Sequence, residues 1–112
     1  MRVSVKDGIY KGSHIPGPSH NYLGVTFSPG SGPLFIIEVL PPVVGCNHHN
    51  GLTADEVRPW IEEGFHNAEN EINRVLEIGR VEIIEDDSRR PEVYRELARR
   101  IALKYHEDQS SI

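Results

Sequence analysis

The stretch TADEVRPWIEEGFHNAENEINRVLEIG, Thr53 to Gly79, decides the fold. Apolar or small residues recur at Val57, Trp60, Ile61, Gly64, Phe65, Ala68, Ile72, Val75 and Leu76. That spacing is one stripe of an amphipathic helix. Thr53 and Glu56 stand at the N-cap and N3 positions of a capping box, and Leu52 and Val57 at the two positions of a hydrophobic staple. Pro59 falls inside the pattern. Either it kinks the helix, or a short first turn precedes a main helix that starts there. Gly79 is the expected stop. Trp60, Ile61, Phe65, Ala68, Ile72 and Val75 are expected in the core, with Leu97 and Ile101 from a second helix.

Toward the N-terminus, Leu34 to Leu40 is apolar at six of seven positions. Such a run suits a central strand covered on both faces. Pro41-Pro42 ends it, since neither can donate to a ladder. Tyr22 to Phe27 alternates as a strand, and Ser28 to Pro33 reads as a turn between the two. The expectation is an antiparallel hairpin of 22–27 with 34–40. Val3 and Val5 alternate with polar residues before Asp7-Gly8, a hairpin signal. Gly12 to Asn21 holds two prolines and two glycines and reads as a long loop.

Toward the C-terminus, Arg80 to Glu85 is a short strand with Val81 and Ile83 inward. Pro91 opens a second amphipathic helix marked by Val93, Tyr94, Leu97, Ala98, Ile101, Ala102 and Tyr105. The fold class is α+β, in two layers. A mostly antiparallel sheet of four or five short strands carries two amphipathic helices on one face. Residues 1–106 form one domain, and 107–112 are expected to fray.

Composition narrows the function. The net charge is −5, against wholesale binding to a phosphate backbone, so no nucleic acid is expected. Thr53 to Asp87 carries eleven acids against three bases, and Ser88 to Lys104 six bases against two acids. Two solvated helix faces of opposite sign explain this; so does an acidic face for a basic partner. The single cysteine forms no internal disulfide. Met1 to Asp7 has no apolar h-region and no run reaches the ~20 residues of a spanning helix, so the cytoplasm is expected and no membrane contact.

The chemistry-bearing residues gather in two loops. Gly45 to Gly51 holds Cys46, Asn47, His48, His49 and Asn50, and the earlier loop holds His14, His20 and Asn21. If 22–27 and 34–40 run antiparallel, both loops and the start of the long helix lie at one end of the sheet. Three readings follow. The loops His14, His20, Asn21, Asn47, His48, His49 and Asn50, with the acidic helix face, form a surface for a basic protein partner, as in an inhibitor or immunity-type protein, with no cofactor. Alternatively His14, His20, Cys46 and His48 hold zinc, whose ligands are thiolate sulfur and imidazole nitrogen. In a third, Cys46 is a nucleophile with His20 as base. Against all three stands the expectation that Cys46 is simply a small buried hydrophobe and that the asparagines serve turns.

Overall fold

The computed structural model describes residues 1–14, 21–28, 35–41, 52–84 and 90–110. The order is β1 (Arg2–Lys6), β2 (Ile9–His14), β3 (Asn21–Phe27), β4 (Ile36–Leu40), α1 (Ala54–Ile72), β5 (Ile78–Ile84) and α2 (Pro91–Ser110). The α+β class holds, with five strands and both helices on one face of the sheet.

β1 and β2 pair antiparallel from Arg2↔Ser13 to Lys6↔Ile9. Asp7 and Gly8 both have positive φ, 54° and 79°. That is the type I′ turn whose twist matches the strands it joins.

The expected hairpin of 22–27 with 34–40 does not form. The sheet order is β1-β2-β3-β5-β4, so β5 lies between β3 and β4. β3 pairs antiparallel with β5 through Val25↔Val81, and β4 pairs parallel with β5 through Ile37↔Val81. Two strand spacings are about 10 Å. The chain between Phe27 and Ile36 is long enough to step over them, whereas a hairpin loop is usually two to five residues. The most apolar strand is therefore an edge, and Ile36 is 72% exposed. Parallel neighbours need a crossover, and α1 supplies it.

α1 starts at its cap and runs through Pro59 without a second start. The Glu56 N–H donates to Thr53 Oγ1 at 3.3 Å, and the Thr53 hydroxyl donates to Glu56 Oε1 at 3.2 Å. Leu52 and Val57, the staple pair, are both buried. The stop is Asn73, not Gly79. Asn73 takes the left-handed conformation and its N–H bonds the Glu69 carbonyl, as a C-cap does. Gly79 lies inside β5.

The helix face is correct up to that stop. Ile61, Phe65, Ala68, Leu97 and Ile101 are buried, while Trp60 and Ile72 are half-buried. Val75 is 80% exposed and Leu76 takes the inward place, because helical spacing no longer applies beyond Asn73. α2 runs past the expected end at 106. The Tyr10 hydroxyl donates to Asp108 at 2.9 Å, and Gln109 is bonded to Tyr105 and Arg74.

α1 and α2 lie side by side and parallel. Glu63 faces Arg95, Glu71 faces Arg99 and Arg74 faces His106, so residue numbers rise together along both. The acidic and basic segments are thus turned in part toward each other. The Arg99 guanidinium grips Glu71 through bonds of 2.7 and 2.8 Å and holds that carboxyl below its ordinary range.

Candidate functional site

β3 runs opposite to β4 and β5, so the start of β3 and the ends of β2, β4 and β5 share one end of the sheet. Both helices begin there. Leu52 and Val57 from the start of α1 meet Arg90, Pro91 and Tyr94 from the start of α2 around a cavity of about 280 Å³, with Glu56 at its side. Parallel helices placed over parallel strands set the starts of both helices beyond the strands' carboxyl ends. In open sheets ligands gather at such ends.

His14 and Asn21 close the β2–β3 ladder here as a register pair. By alternation they share the helix-covered face with Gly12, Leu23 and Val25. Asn21 is 1% exposed, the one polar residue in the buried set of the described residues. It stands at the first position of β3, opposite the last residue of β2.

Of the sequence-expected site residues, the structure places His14 and Asn21 side by side. His20, Cys46, Asn47, His48, His49 and Asn50 lie outside the described residues. The expected zinc set of His14, His20, Cys46 and His48 is therefore represented by His14 alone, and the expected Cys46–His20 pair falls wholly outside. Among the described residues no three His, Cys, Asp or Glu side chains come together as a metal group. His66 and His106 sit on the helices, His66 with Glu69 at 3.3 Å and His106 with Arg74 at 3.2 Å.

No family model and no curated protein matches this chain.

The acids along α1 differ in how they are held. Glu63 and Glu71 are paired with α2, and Glu62 with Arg58. Asp55 is exposed and has no base partner among the described residues. A larger cleft, about 630 Å³, lies along the later half of α1 beside Phe35, Phe65, His66, Glu69, Leu76 and Ile78. There Glu69 accepts from the Leu76 N–H at 2.8 Å, and His66 Nδ1 lies 3.3 Å from its carboxylate.

On the helix-free face, Tyr22 donates to Glu82 at 2.6 Å. Gly24 lies under them; a Cβ there would sit 2.5 Å from Glu82 Cγ. Burial, then the Glu82 bond, raises the Tyr22 hydroxyl's pKa well above its ordinary value. Sequence reading missed this pair and the cavity between the helix starts. The cap and staple residues were the available signal for the cavity. Nothing local signals the Tyr22–Glu82 pair, which needs the β3–β5 register. No helix of the described residues is long and apolar enough to cross a membrane.

Proposed function

We propose that this chain is a small acidic binding module that holds a basic protein partner at the end of the sheet where both helices begin. The parallel run of α1 and α2 above β4 and β5 carries the proposal. It sets the attachment points of the 15–20, 42–51 and 85–89 connections at one end of a rigid scaffold. Binding surfaces concentrate on long connections held in this way. His14, His20, Asn21, Asn47, His48, His49 and Asn50 belong by sequence to those connections or their ends, and they supply polar contacts. Leu52, Val57 and Tyr94 supply an apolar floor. Asp55 and Glu56, exposed in the first turn of α1, supply the charge. A net charge of −5 draws a basic partner from a distance.

Affinity capture from source-cell extract tests this with wild type and the double variant Asp55→Lys/Glu56→Lys. Wild type should retain a basic protein that high salt releases, and the double variant should retain it roughly tenfold less well, as rim charges set attraction and salt dependence. Equal retention by both, or nothing that salt releases, refutes the proposal.

A further inference from the structure

The bases of this acidic chain are not used evenly. Arg58, Arg80, Arg90, Arg95, Arg99, Arg100 and Lys104 each contact an acid. Arg74 is bonded to His106 and Gln109. Arg2, Lys6 and Lys11 have no acid partner among the described residues. All three lie in the β1–β2 hairpin. Register Ser4↔Lys11 and strand alternation put them on the same, helix-free face.

β1 is also an edge of the sheet. Arg2, Ser4, Val5 and Lys6 are exposed, Val5 at 44%. In a hairpin closed by a two-residue turn, the pair flanking the turn is hydrogen-bonded, and bonded and non-bonded pairs then alternate. Lys6↔Ile9 flanks the turn. Ser4 and Arg2 therefore bond inward to β2, while Val3 and Val5 direct their N–H and C=O groups outward.

We infer that the β1 edge takes an acidic extended peptide of a partner protein as a sixth, antiparallel strand. Val3 and Val5 give the main-chain bonds, and Arg2 and Lys6 give the sign. Residues opposite Arg2 and Lys6 on an added strand are four apart, so the fitting segment carries carboxylates at i and i+4 with apolar residues at i+1 and i+3. Main-chain bonds set affinity in such strand addition and alternate side chains set specificity. A second copy pairing β1 on β1 about Ser4 would set Arg2 opposite Lys6 twice, and like charges directly opposite repel. The other edge, β4, offers only Glu38, which Arg80 already holds. This site runs along the β1 edge, from Arg2 beside the His14 end to Lys6 at the opposite end, and its charge is opposite in sign to that of the basic-partner surface, so either can fail alone.

The probes are two end-capped peptides, Gly-Ser-Glu-Val-Thr-Val-Glu-Ser-Gly and the same peptide with Lys for both Glu. They are titrated into the labelled full chain and followed by amide shifts and hydrogen exchange. The Glu peptide should shift β1 resonances, slow exchange at Val3 and Val5, and bind roughly tenfold tighter than the Lys peptide, the scale of two cross-strand charge pairs. The variant Arg2→Glu/Lys6→Glu, on an exposed edge where folding is not at stake, should reverse the preference. Val5→Pro removes one outward N–H and spares the bonds to β2, as proline is tolerated on edges facing solvent. With an unchanged melting temperature it should abolish binding. Equal binding of the two peptides overturns the inference. So does binding that Val5→Pro leaves intact, or a single-stranded oligonucleotide that binds β1 as well as the Glu peptide does.

Discussion

Gly64→Ala should destabilise the protein, although alanine is the better helix former. Gly64 is buried on α1 where it meets α2. A Cβ there falls inside the contact limit of the Arg95 carbonyl oxygen and 2.8 Å from Ala98 Cβ. Neither neighbour is the end of a flexible side chain. The carbonyl belongs to the α2 backbone and Ala98 is 0% exposed, so the helices must move apart as units. Overpacking of this kind costs about 3 kcal/mol at the upper end of its range. Helix propensity returns about 1 kcal/mol. The net loss is about 2 kcal/mol, or roughly 8 °C in melting temperature for a domain of this size. Urea and thermal unfolding measure it. Asn67→Ala, at an exposed position of the same helix, should hold or gain stability and serves as the control. A Gly64→Ala protein as stable as wild type would refute the close parallel packing of α1 on α2.

Phe65→Ala should cost about 3–5 kcal/mol by chemical denaturation, because Phe65 is 3% exposed and meets Phe35 edge-on at 5.7 Å; a loss under about 1 kcal/mol would contradict the helix face. Asn73→Val should lose about 1–2 kcal/mol, the cost of a left-handed residue with a β-branched side chain, whereas Asn73→Gly should hold stability; equal effects would contradict the cap. Burial first, then Asp108, pushes the Tyr10 hydroxyl from 10.0 up to about 12. Its folded value is raised, so its stabilisation is complete below the unfolded value of 10.0 and is lost as pH climbs toward about 12. Phenolate titration should show Asp108→Asn lowering this value only in part, since burial remains; a full return would contradict the burial. Asp108 is held low by the Tyr10 bond and then Lys104, so its contribution is present above its ordinary range and is lost as pH falls through the folded value; acid unfolding of Asp108→Asn should show that segment of the pH dependence missing.

The parts legible in the sequence are those that local chemistry dictates. Asp7-Gly8 specified its turn because φ is positive at both positions. Thr53, Glu56, Leu52 and Val57 specified the start of α1, and its stripe specified the buried face as far as Ile72. Strand order was not legible. Alternation says which side chains share a face but not which strand comes next, and the apolar run 34–40 resembled a central strand while serving as an edge. The shared end of the sheet was inferred through a wrong pairing and survives for a physical reason: β3 and β4 run oppositely whether or not β5 separates them. The charge imbalance was visible as segments. That Glu63 and Glu71 turn toward Arg95 and Arg99 depends on the parallel docking of the helices, which no local pattern encodes. At the site, His14 and Asn21 read in the sequence as parts of a Gly12 to Asn21 loop, whereas Gly12 to His14 end β2 and Asn21 begins β3; the cavity between Leu52 and Tyr94 joins residues far apart in the chain.

Hydrogen exchange on the captured complex tests the binding end most directly. With the partner bound, amides at His14, Asn21, Ala54 to Val57 and Glu92 to Tyr94 should slow relative to the free chain. Amides at the opposite end, Asp7, Gly8 and Asn73 to Glu77, should keep their rates. Protection centred on that opposite end, with the helix starts unchanged, would contradict the assignment of the partner to the end where α1 and α2 begin.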